Sequence, residues 1–123
     1  MYQLPINKKN AQQTALKSLD PNPELSALGD ELVIDPSVSY ETKYSWIFCC
    51  NSKKYLKTRD IRYQILGIRL IAVEKKTGQV YHIGTGYSDR VLIALHELML
   101  YPTVINRLRC FVLTTLYYLG IQL

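Results

Sequence analysis

The spacing of apolar positions along this chain changes several times, and each change marks an element. From Asn7 to Leu19, Ala11, Ala15, Leu16 and Leu19 recur at three- and four-residue steps, which predicts a short helix ended by Pro21 and Pro23. Glu24 to Asp30 is a connector containing Gly29. From Glu31 to Ser39, Leu32, Ile34 and Val38 alternate with polar residues, predicting an edge-like or bulged strand interrupted near Pro36. Tyr44 to Asn51 alternates more cleanly. Trp46, Phe48 and Cys50 share one face and Ile47 and Cys49 the other, so both faces are apolar and the strand is expected to be central.

Lys53 to Gly67 is too polar for a strand. Its Tyr55, Leu56, Ile61, Ile65 and Leu66 stand at roughly helical spacing, predicting short helical turns that wrap over a sheet edge. Ile68–Glu74 and Gln79–Thr85 form two strands, and Gly78 supplies the positive φ that closes the hairpin between them. After Gly84 and Gly86, Ser88 is a predicted N-cap with Asp89 in the first turn. Val91, Leu92, Ala94, Leu95 and Leu98 then mark a helix up to Pro102.

The segment after Pro102 supports two assignments. Ile105, Leu108, Val112, Leu116 and Leu119 have helical spacing, whereas Cys110 to Thr115 and Tyr117 have strand composition; the helix is favoured because Pro102 stands just before its start. So apolar a stretch is expected to be covered, by the rest of the chain or by a second copy in a homodimer. The expected fold is α+β: a mainly antiparallel sheet of about four strands, with an N-terminal helix and one or two C-terminal helices packed on it. Residues 1–123 are expected to form a single domain, a core over 7–100 with an apolar helical extension over 103–123.

Composition narrows the function. An apolar fraction of 48% and a charged fraction of 20% are those of a folded chain. Three cysteines, two of them the neighbours Cys49 and Cys50, make a poor disulfide framework and point to a reducing compartment. The stretch Met1–Asn10 lacks the apolar region of a secretory signal, and the run Cys110–Leu119 is about half the roughly 20 residues needed to span a bilayer. The cytoplasm is the expected location, with no transmembrane segment. Net charge is +5; residues 1–60 carry eight Lys and Arg against seven Asp and Glu, and residues 61–123 carry seven against three.

No catalytic or metal constellation is assembled by spacing. His82 and His96 lack a second ligand at i+4 or a flanking Cys-x-x-Cys. Cys50 with His82 on a neighbouring strand would pair a nucleophile with a base, but small thiols filling a sheet core explain the same residues. Gly84–Thr85–Gly86 lacks the third glycine of a dinucleotide loop and the Gly-Lys-Ser/Thr of a P-loop. Asp30, Glu31 and Asp35 form an acidic patch without paired-carboxylate geometry. No enzyme activity and no cofactor are expected. The basic, tyrosine-bearing run of Lys53, Lys54, Tyr55, Lys57, Arg59, Arg62 and Tyr63 is the candidate partner-binding surface, as irregular connections commonly are. It has the ingredients to stack bases and meet phosphates, yet no nucleic-acid-binding motif accompanies it and no specific nucleic acid is expected.

Trp46, Phe48, Asn51, Tyr55, Leu56, Thr58, Asp60, Leu66, Gly67, Val73, Thr77, Gly78, Gly84 and Thr85, in that order, form a set. On these residues the chain, over roughly residues 7–100, resembles the small bacterial YrhB-like family, also described as the immunity protein 35 domain. It departs from the family at Arg59, where a Gly is usual before Asp60, and at Leu70, near a usual Pro. The resemblance implies a non-enzymatic immunity protein of a bacterial polymorphic toxin system that binds and neutralises a cognate protein toxin. A small chaperone or adaptor using the apolar tail is the alternative, and a basic nucleic-acid-binding module the third reading.

Overall fold

A computed structural model describes residues 5–19, 23–65, 70–83 and 88–121. The chain divides into two compact units, Met1–His82 and Ile83–Leu123.

The first unit is built on a four-stranded antiparallel sheet in the order β1 (Leu32–Glu41), β2 (Ser45–Ser52), β3 (Leu70–Glu74) and β4 (Val80–Ile83). Strand β2 is central, as its two apolar faces require. Trp46 pairs with Val73 and Phe48 with Ile71 on one side, and Cys50 pairs with Ile34 on the other. These residues share one face of the sheet, and α1 (Lys8–Lys17) lies across it. Ala11 and Ala15 are fully buried there with Ile34, Phe48, Cys50, Ile71 and Val73; as alanines they let the helix axis come close to the strands. Ile47, Leu70 and Ala72, on the opposite face, are also buried.

Side-chain caps fix where α1 begins and how its approach is held. The Asn7 side chain accepts from the Asn10 amide, at 2.8 Å, and so satisfies a free N–H of the first turn. Just before it, Ile6 is strapped to the sheet: its amide donates to the Lys75 carbonyl and its own carbonyl accepts from the Trp46 indole N–H at 2.9 Å. Trp46 is half-buried against the core, with the Lys75 ammonium 4.9 Å from its ring centre. Leu16, expected on the buried stripe of this helix, is instead exposed, since two alanines already fill the contact.

Pro36 has the predicted effect on β1. Pairing with β2 runs from Leu32 to Ile34, then resumes at Ser39 opposite Phe48, so five steps along β1 match two along β2. Between β3 and β4, Gly78 takes φ 74° and its amide donates to the Glu74 carbonyl, closing the turn as expected. The stretch expected to be a connector, Glu24–Asp30, contains a short helix, α2 (Pro23–Ala27), with Pro23 in its first turn and Leu25 buried. The strand ends placed at Ile68–Arg69 and Gly84–Thr85, together with Leu66, Gly67 and Pro21, lie outside the described residues.

The second unit is a helical hairpin of α4 (Asp89–Leu100) and α5 (Val104–Tyr118). Ser88 occupies the N-cap position of α4 but its hydroxyl makes no capping bond, whereas Thr103 caps α5 by accepting from the Asn106 amide at 3.1 Å. Asn106 in turn donates to the Tyr101 carbonyl at 2.8 Å, locking the connection. Gly120, at φ 75°, ends α5: its amide donates to Tyr117 and the next amide, Ile121, reaches back to Leu116. The tail is therefore helix. Its inward side, however, is Asn106, Cys110 and the Arg109 that meets Glu97, while Ile105, Leu108, Val112 and Leu119 of the aliphatic stripe face outward, each at least half exposed. Among the described residues no helix is long and apolar enough to cross a membrane.

Candidate functional site

The basic segment begins where β2 ends. Ser52 is the N-cap of α3 (Lys53–Thr58); its hydroxyl accepts from the Tyr55 amide at 3.0 Å and donates to the Tyr63 carbonyl at 2.5 Å. The buried Asn51 carboxamide oxygen accepts from two amides, Ser52 and Ile65, each at 2.8 Å. One residue pair at a strand end thus fixes both ends of the following excursion. Asp30 adds a third anchor by accepting from the amides of Glu31 and Lys54.

Within the excursion, Thr58 donates to the Lys54 carbonyl and accepts from the Asp60 amide. Asp60 then caps the 3₁₀ turn Ile61–Tyr63 by accepting from the Arg62 amide at 3.0 Å. Asn51, Tyr55, Thr58 and Asp60 were singled out by resemblance, and here their role is to fold this segment. Arg59, between α3 and the 3₁₀ turn, adopts φ 57°, a left-handed conformation that glycine takes without steric cost. That is why a glycine suits the position. Arginine holds it through an ion pair to the buried Asp35 at 3.6 Å and by lying over the Tyr55 ring, 5.5 Å from its centre.

The acidic patch and the basic run therefore meet. Lys53 pairs with Glu31 at 3.5 Å, Arg59 with Asp35, and Arg62 with Asp60 at 2.7 Å, while the Lys54 ammonium donates to the Leu28 carbonyl and stands 5.7 Å from the Tyr63 ring centre. Lys57, in the last turn of α3, is exposed. The segment's outward positive field is weaker than its composition implies, which weakens the case for a phosphate-tracking surface. Reversing the charge of Arg59 would strand a buried carboxylate, so it does not probe binding independently of folding. Burial pushes the Asp35 carboxyl up, but two hydrogen bonds from Ser37 and the Arg59 guanidinium outweigh it and leave it below its usual range. The Asp60 carboxyl is lowered by hydrogen bonds from the Arg62 side chain and amide.

The short helical turns expected over this stretch are present, and Ile61 projects from the 3₁₀ turn at 77% exposure, between Asp60 and Arg62 and beside Tyr63. A three-residue turn has too short a run to carry a periodic signal, so its direction is set by the Asp60 cap instead.

The paired thiol and imidazole come apart. Cys50 lies on β2 and His82 on β4, with β3 between them, so the two are not on neighbouring strands; His82 Nε2 is instead 3.4 Å from the Ser18 hydroxyl. Burial, with the neighbouring Cys49 adding to it, pushes the Cys50 thiol up to about 11. None of the three cysteines forms a disulfide, and among the described residues no group of His, Cys, Asp and Glu could hold a metal ion. Gly84–Thr85–Gly86 lies outside the described residues.

No curated protein and no solved structure matches this chain. The family model of immunity protein 35 matches residues 9–92, which takes in α1 from its second residue, the whole sheet, the Lys53–Tyr63 segment and the start of α4. With more than half its length matched, the chain belongs to the immunity protein 35 family.

Proposed function

We propose that this protein neutralises a cognate protein toxin in the cytoplasm by binding it and covering its working surface, without chemistry of its own. Family membership supplies the partner class. The observation that favours the α3 to Tyr63 segment as the contact is its construction: an irregular, exposed excursion fixed at both ends by Asn51 and Ser52. A pre-folded surface loses little entropy on association, which suits an inhibitor that must bind tightly. Ile61 and Tyr63 are its apolar anchors, and Lys57 and Arg62 its charged rim. Three cysteines outside any disulfide suit a reducing compartment.

Co-expression with the toxin encoded beside this gene tests the role. Survival that depends on this protein, with a complex recovered from the cells, supports it; death regardless of its presence, with no complex, overturns it. Ile61→Asp and Lys57→Glu test the surface. Each should weaken the complex at least tenfold at unchanged thermal stability, and full protection by both variants together would move the contact elsewhere.

A further inference from the structure

The outward side of α5 is a second surface, built differently. Ile105, Leu108, Val112 and Leu119 are at least half exposed, and with the half-buried Leu116 they lie within about 40° of one line along the helix. Phe111 and Tyr118, 72% and 69% exposed, lie together on another face, about 100–120° round the helix from that line. A contiguous aliphatic stripe running the length of a helix is the kind of exposed patch that marks an interaction surface. The sequence after Arg109 contains no Lys, Arg, Asp or Glu.

The order of the stripe says what covers it. Its steps are three, four, four and three residues, so it reads the same from either end about Val112. Two copies of α5 laid antiparallel across a two-fold axis at Val112 put Ile105 against Leu119, Leu108 against Leu116, and Val112 against itself. Every aliphatic residue then meets an aliphatic residue, and no like charges meet across the axis. A foreign partner would need none of this internal symmetry. We infer that α5 is the interface of a two-fold homodimer, packed antiparallel through Ile105, Leu108, Val112, Leu116 and Leu119.

Sedimentation of the full chain over a micromolar concentration series tests the inference. The wild-type chain should be a dimer, and Val112→Asp, at an exposed position and with unchanged circular dichroism, should raise the dissociation constant about 100-fold or more by burying two facing carboxylates. Cross-linking checks the register. Val112→Cys should form an intermolecular disulfide above the wild-type background, whereas Ile105→Cys should do so efficiently only when Leu119→Cys is also present. A wild-type monomer throughout, a dimer indifferent to Val112→Asp, or a dimer that Val112→Cys fails to link would each overturn it. So would a monomer that loses toxin binding, or binding to anionic lipid vesicles, on Val112→Asp, since the face would then belong to that partner.

Discussion

Between Asn51 and Ile65 nearly every bend of the backbone is held by a side chain, whereas α5 runs from Val104 to Tyr118 with one ion pair, Glu97 to Arg109, tying it sideways to its neighbour. The first surface lies inside the family match and is polar, irregular and neutralised from within. The second lies beyond residue 92 and is regular and apolar. The contrast shows two ways of presenting a surface. In the loop, polar residues fix the shape and a few neighbours are left over to make contact; in the helix, periodicity fixes the shape and the outward residues are all available. Substitutions should therefore cost folding in the first region and association in the second.

The largest exception to that contrast should be Arg109. Glu97 is fully buried and Arg109 supplies its counter-charge at 3.4 Å, so Arg109→Leu should destabilise the chain by about 3–5 kcal/mol, while the double change with Glu97→Leu should be close to neutral. Chemical denaturation of the three variants checks this. Equal losses in the single and double variants would show that the pair does not act as a unit.

Asn51→Ala comes next. It leaves the amides of Ser52 and Ile65 without their acceptor, at a cost of about 2–3 kcal/mol, and hydrogen exchange at Ile65 should accelerate more than exchange in β3. Uniform acceleration would mean that the segment has no stability of its own to lose.

Arg59 gives a finer test. Arg59→Ala keeps the left-handed backbone and loses the Asp35 pair, while Arg59→Gly loses the pair but relieves the backbone, so the glycine variant should be about 1 kcal/mol the more stable of the two. The pair should also be visible in acid. Because the folded-state Asp35 carboxyl sits below its ordinary 3.8, its contribution is present above that value and disappears as pH falls through the lower, folded-state one. Wild type and Asp35→Asn should therefore converge in stability on acidification, and a constant gap down to strongly acid pH would contradict the assignment. The smallest effect is expected at Lys57→Glu, within about 0.5 kcal/mol of wild type in stability, with its consequence confined to association with the toxin.

Much of the fold was legible because alternation and helical spacing are direct consequences of burial. The two-faced apolar pattern around Trp46 gave a central strand, Pro36 gave a bulge, and Gly78 gave the turn. What escaped were directions. The aliphatic stripe of α5 announced a helix but not which side of it would be covered, because the burial of Asn106 and Cys110 and the pairing of Arg109 with Glu97 arise only where α4 and α5 lie side by side. Likewise the run from Lys53 to Tyr63 displayed its charges but not that Glu31, Asp35 and Asp60 would return to meet them. Ile61 carried no readable signal, since its exposure depends on a cap one residue away.

The interruption in β1 bears on how a partner can be recognised. Strand addition requires an uninterrupted row of amides and carbonyls, and at this margin of the sheet the row is broken by a residue without an N–H and by a kinked stretch between Ile34 and Ser39. Backbone templating, which takes almost any extended peptide, is thereby denied along β1. Whatever binds there must be chosen by its side chains, so an extended chain of the wrong sequence finds no backbone template on this edge.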